Sequence, residues 1–208
     1  MAWSDAVGWN KRRGWNVPAA AGGGGGSFAT FDPNDFVVAD TFGNACVSLD
    51  ATKLIATQNH AGVEAQITAT RFVSGLSHFE FTITTTGVSV GLEPAANKSG
   101  GYSSFLGGGG GGLGWLPDGR VFFGFGVLAT VGTYGVSDTV YIEVDKPNNK
   151  AYFGVNSGAR SVFVDISGMS GNLYPAADLG NTVNNSITAN FGASSFVCPV
   201  TAGYGPIP

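Results

Sequence analysis

Two pairs of residues in this chain have the types and spacing that could do chemistry. Glu143 and Asp145 stand two apart within residues 137–153. Retaining glycosidases need two carboxyl groups about 5–5.5 Å apart, and a Glu-x-Asp-x-x-Glu pattern on one strand face supplies them. Here Pro147 and Asn148 follow, so the acid/base carboxylate that would complete the pattern is missing. Glu143 and Asp145 are therefore expected to be polar residues on the outer face of a strand. His78 and Glu80 also share a strand face, as a metal or acid/base pair does, and His60 falls in the turn before the preceding strand. Two histidines without a carboxylate cluster make a poor metal site, and neither metal nor cofactor is expected. No Gly-x-Ser-x-Gly nucleophile elbow occurs. The glycine runs lack the Lys-Ser/Thr of a phosphate loop. Cys46 and Cys198 lie too far apart for zinc-site spacing; they read as two buried thiols, with one disulfide between the first and last strands as the alternative.

The elements that must position these residues are strands. In residues 137–153, Val140, Ile142 and Val144 alternate with Tyr141, Glu143 and Asp145, the period of a half-buried strand. Residues 146–150 supply a turn, because Pro147 presets φ and Asn148 and Asn149 tolerate left-handed geometry. Ala151, Phe153 and Val155 resume the alternation, which predicts a hairpin. Similar alternation predicts strands over residues 63–70, 78–84, 88–92, 121–127, 162–166 and 186–191, with turns at 97–101, 117–119 and 168–172. Many short strands at regular spacing mean a sandwich or barrel.

Composition agrees. Charged residues are 12%, against roughly 25% in ordinary soluble domains. With 34 Gly and 15 Phe, the chain favours strands joined by glycine-rich turns over helices. The net charge of −4 and a pI near 4.9 lack the basic footprint of a nucleic-acid binder. No apolar run reaches the roughly 18 residues of a membrane span, so no membrane insertion is expected. The first residues lack the charged-then-apolar order of a secretory signal, which points to synthesis in the cytoplasm.

Residues 1–26 differ from the rest. Trp3, Trp9 and Trp15 recur at equal spacing around Lys11, Arg12 and Arg13, and a run of glycines at 22–26 follows. Such a run behaves as a flexible linker, so the arm reads as an aromatic, basic anchor tethered to a domain over residues 27–208. Trp and Arg dominate interface hot spots, which suits docking onto another protein. A second glycine run, 107–112, lies inside the domain between Tyr102 and Trp115. It reads either as a mobile surface loop or as a recognition loop whose bare backbone approaches a ligand. Tyr102, Trp115, Asp118, Arg120 and Tyr134 are the candidate ligand-binding residues around it.

The order of motifs resembles the SPRY domain family in the variant common among phage and prophage proteins. Ala29-Thr30-Phe31-Asp32-Pro33 is similar to the family's aromatic-Asn/Asp-Pro opening, and Lys53-Leu54-Ile55-Ala56-Thr57 to its early strand. Gly75-Leu76-Ser77-His78-Phe79-Glu80-Phe81, residues 88–92 and residues 138–145 follow in the family's order. So do Asn149-Lys150-Ala151-Tyr152-Phe153, Leu173-Tyr174-Pro175-Ala176 and Thr188-Ala189-Asn190-Phe191-Gly192. Ser137 stands where Gly is usual, and Asn156-Ser157-Gly158 lacks the Trp that often follows.

The resemblance implies an all-β protein: a concanavalin-like antiparallel β-sandwich of jelly-roll type, here with an extended N-terminal arm. It implies adjacent termini, partner binding through loops at one end, and no catalysis. It also implies a virion location, in a head decoration or tail fibre. There the arm would contact capsid, collar or tail proteins, with copies repeated by symmetry so that weak contacts act by avidity. A carbohydrate-binding adhesin that contacts a host surface glycan or protein, and a polysaccharide hydrolase, are the alternatives.

Overall fold

The structure is a computed structural model that describes residues 28–36, 46–62, 64–97, 106–108 and 111–207. The anchor residues Trp3, Trp9, Lys11, Arg12, Arg13 and Trp15, and also Tyr102, lie outside the described residues.

The first strands in chain order are β1 (Phe31–Phe36), β2 (Val47–Leu49), β3 (Ile55–Gln58), β4 (Gln66–Ala69) and β5 (Leu76–Ile83). Next come β6 (Ser89–Pro94), β7 (Leu113–Trp115), β8 (Arg120–Phe123), β9 (Gly126–Thr130) and β10 (Thr139–Asp145). The last are β11 (Lys150–Val155), β12 (Val164–Asp165), β13 (Leu173–Asp178) and β14 (Ser186–Asn190). They form two seven-stranded sheets, ordered β1-β4-β13-β6-β7-β8-β9 and β12-β11-β10-β5-β14-β3-β2. Every ladder between them is antiparallel. Among the described residues the one helical turn is Ala95–Asn97, and no helix is long and apolar enough to cross a membrane.

The core lies between the sheets, where alternation sends one side-chain set inward. Phe79, Phe81 and Ile83 from β5, with Val140, Ile142 and Val144 from β10, meet Val90, Leu92 and Trp115 of the first sheet in one apolar cluster. Phe31, Phe81 and Phe191 pack edge-on or stacked with centroids 5.6–6.4 Å apart. The predicted hairpin is present as β10–β11, in register Asp145↔Lys150. Its turn holds Asn149 at φ +52°, and Asp145 accepts the Asn148 backbone N–H at 3.1 Å. The described ends are neighbours: Ala29 N–H donates to the Ile207 carbonyl at 3.4 Å.

Residues 121–127 form two strands rather than the single one expected. The chain reverses at Gly124 and Phe125, both left-handed at φ +58° and +67°, and Phe123 pairs with Gly126 across them. Two consecutive positive φ values make the tight turn whose twist matches a hairpin. Its second position is usually Gly or Asn, so an aromatic residue hides it from sequence inspection.

Candidate functional site

The outer face of the second sheet carries a buried polar cluster. His78 and Glu80 project from β5, and Glu143 projects from the facing position on β10, paired in register Glu143↔His78. Strand alternation puts all three opposite the apolar core side, as the sequence predicts. They are nonetheless buried, Glu143 completely. The cover is residues 194–205, which run back over the sheet as a strap before Ile207 enters the core. Exposure was expected from polarity alone; burial results because a later segment shields the face and satisfies its charges.

The strap is held by its own backbone. Glu80 Oε1 accepts the Cys198 N–H at 2.6 Å and Oε2 accepts the Val197 N–H at 3.1 Å. Glu143 Oε1 accepts the Thr201 N–H at 2.7 Å. Gly205 bridges Ser77 in parallel fashion, with its carbonyl 2.6 Å from the His78 backbone nitrogen. Phe196 packs edge-on against the His78 ring at 4.5 Å, and Tyr141 stacks on it at 5.4 Å.

Two cations balance the carboxylates. Arg160 Nη1 donates to Glu143 Oε2 at 2.9 Å while its guanidinium lies over the Tyr152 ring at 3.9 Å. His78 Nδ1 stands 3.3 Å from Glu143 Oε1, and Nε2 stands 3.6 Å from Glu80 Oε1, an ion-pair distance rather than a hydrogen bond. Burial by itself would raise the Glu143 carboxyl, but hydrogen bonds from His78, Thr201 and Arg160 outweigh it and bring it to about 2. Burial works against the His78 cation, and its two glutamates overcome that and raise it. Glu80, opposed by burial, is lowered by His78 and the strap amides. Burial and the neighbouring Glu80 push the Cys198 thiol up to about 12. Both glutamates are committed to internal partners. Among the described residues no group of three or more His, Cys, Asp and Glu is arranged to hold a metal ion.

The expected ligand-binding aromatics are elsewhere. Trp115 and Tyr134 are core residues, 0% and 6% exposed, which overturns their place in a recognition loop. Trp115 sits in β7, its indole N–H donating to the Gly132 carbonyl at 3.0 Å and its ring edge-on to Tyr134 and Phe153. The Tyr134 hydroxyl lies 2.7 Å from the Trp115 carbonyl and 3.1 Å from that of Val88, and burial raises its pKa. The glycines beside Trp115 have a packing reason. A Cβ on Gly114 would collide with the Leu106 carbonyl, so glycine lets residues 106–108 lie against β7. Leu106 is buried there, its N–H held by Asp178 at 2.9 Å. Asp118 and Arg120 are on the surface, closing the β7–β8 turn on each other through contacts of 2.6 and 2.7 Å. Cys46 belongs to the core and Cys198 to the strapped face, so the two thiols sit on opposite sides of the second sheet and form no disulfide.

Sequence inspection missed the open edge of the sandwich. There β9 closes the first sheet and β12 the second. Between them lies a cleft of about 190 Å³ lined by Phe123, Leu128, Ile166, Gly168 and Met169. Phe125 at the turn tip is 66% exposed, and Val127, Leu128 and Phe163 are exposed beside it. The signal lay in two apolar runs, 121–127 and 162–166, that alternation assigned to strands.

No protein-family model matches the chain, and no curated protein matches it significantly. Solved structures do. The SPRY domain of human HERC1 is similar at TM-score 0.64 and 16% identity, over 79% of this chain and 99% of that one. The TRIM65 PSpry domain is similar at 0.59 and 12%, over 79% and 90%. A human SPRY domain gives 0.53 and 18%, over 72% and 98%. The fold is therefore a SPRY-like antiparallel β-sandwich.

Proposed function

We propose that this chain is a non-enzymatic binding module whose partner surface is the open edge formed by β9 and β12. The observation that carries this is Phe125, a bulky side chain held at positive φ and left exposed at the tip of an unpaired edge. Strained backbone of this kind costs about 1–3 kcal/mol and gathers at functional positions. One edge of β9 pairs with β8 and its other edge has no strand neighbour among the described residues. The occupant that suits it is an extended segment of another protein. Such a segment gains main-chain hydrogen bonds from a sheet edge and sets alternate side chains into an adjoining apolar cleft. The catalytic alternative loses its support, because Glu143 is buried and both its oxygens are engaged. The adhesin alternative loses its aromatic platform with Trp115 and Tyr134 in the core.

In its fuller form, the proposal makes the chain a phage virion protein. It would be made in the bacterial cytoplasm, held on the particle by the Trp-rich arm and repeated by symmetry. The arm's composition and the SPRY-like motif order support this reading. A photo-crosslinker placed at Val127 in assembled virions should join the chain to another virion protein. Crosslinks found only within the chain would remove the edge from the proposal. Separately, deletion of residues 1–26 should abolish incorporation as measured by mass spectrometry of purified particles; full incorporation would remove the anchor.

A further inference from the structure

The strap differs from the other chain segments in how it is held. Three of its backbone N–H groups, those of Val197, Cys198 and Thr201, end on two buried carboxylates, and those carboxylates flank a single imidazole. We propose that residues 194–205 form a proton-latched strap, docked while His78 carries both ring protons and released when it loses one.

The geometry favours the imidazolium. Each ring nitrogen faces a carboxylate oxygen, Nδ1 towards Glu143 and Nε2 towards Glu80. A neutral imidazole has one donor and one acceptor nitrogen, so one lone pair would point at a carboxylate. The charges of the cluster favour it as well. Glu80 and Glu143 carry two negative charges against Arg160 and the imidazolium. Loss of the proton leaves one uncompensated negative charge on a face closed to water, and an unpaired buried charge is strongly unfavourable. The cheapest relief is to admit water, and residues 194–205 are the part of the cover that can lift while Ile207 stays in the core.

The other groups packed around His78 leave the proton on the ring. From β10 come Tyr141 and Glu143; from β5 itself, Glu80. From β14, Asn190 donates to Glu80. Arg160, which stands on Tyr152 of β11, reaches the cluster through Glu143. The strap contributes Phe196, Cys198 and Tyr204, and Asp145 is a further carboxylate near Tyr204. Burial opposes the imidazolium and the glutamates favour it, with a net rise. A histidine raised on folding contributes stability that is whole below its ordinary value near 6.5 and is lost as pH climbs through the raised value. Release is thus an alkaline event.

The test is hydrogen exchange with mass spectrometry on the full chain, from about pH 6 to about pH 10, a range that brackets a raised histidine. Each rate is divided by the intrinsic rate at that pH. Amides of Val197, Cys198, Thr201 and Gly205, and the His78 amide that donates to the Gly205 carbonyl, should lose protection severalfold or more, while β6 and β13 amides keep theirs. The midpoint should coincide with the His78 imidazole titration followed by NMR. His78→Gln should show weak strap protection at every pH and no step. Phe196→Ala, which leaves the charges in place, should weaken protection and keep the step. The proposal is overturned if strap protection is flat with pH, if strap and core amides open together, or if the step does not follow the imidazole.

Discussion

The strapped face of the second sheet and the open edge of the sandwich invert the usual relation between polarity and exposure. Under the strap, His78, Glu80, Glu143 and most of Arg160 are removed from water. At the edge, Phe125, Val127, Leu128 and Phe163 stand in it. The first arrangement is stable because each charge has an opposite charge and directed hydrogen bonds; the same groups unpaired would each cost several kcal/mol. The second persists because an apolar side chain left in water forfeits only its own burial. Buried charges thus mark a structural commitment, and exposed apolar groups mark a surface with capacity to spare for a partner.

Substitutions separate the two regions in order of effect. Glu143→Ala removes the acceptor for Thr201, His78 and Arg160 together, and should destabilise by about 3–5 kcal/mol in chemical denaturation. A loss under 1 kcal/mol would mean that the strap is not held by charge. Acid should act on the same group. The Glu143 carboxyl lies near 2 when folded against 4.5 ordinarily, so its contribution is whole above 4.5 and disappears as pH falls towards 2. Glu143→Gln should flatten stability against pH across that window, and an unchanged acid profile would contradict the assignment. Tyr134→Phe takes the hydroxyl from two buried carbonyls and should cost about 1–3 kcal/mol, read by thermal unfolding. Wild-type stability there would return Tyr134 to the ligand-binding candidates. Leu128→Lys, on the edge, should shift stability by no more than about 0.5 kcal/mol while abolishing crosslinking from Val127. A large stability loss would place Leu128 in the core and undo the contrast.

Much of the sandwich is legible in the chain. Phe79, Phe81 and Ile83 against His78, Glu80 and Thr82 announce a strand and its two faces, and the structure keeps those faces. Asn149 announces its turn. Phe125 does not, because a positive φ there depends on the pairing of β8 with β9, not on any preference of Phe. Trp115 misleads for a related reason. Its glycine neighbours resemble a loop in sequence, yet Gly114 is small because residues 106–108 press against it. The two missing features, the strap and the edge cleft, are built from segments far apart in sequence: residues 78, 143, 160 and 198 in one, 123, 128 and 166 in the other.

What the amino-acid sequence determined by itself is periodicity: where most strands lie, which side of a strand such as β5 or β10 is apolar, and where turns such as 146–150 fall. These follow from backbone geometry and hydrophobic pattern over a few neighbouring residues. Only the tertiary structure decided which polar faces are covered and which apolar edges are left open. Burial depends on what lies on top of a residue, and for Glu143 that cover arrives more than fifty residues later, at Thr201.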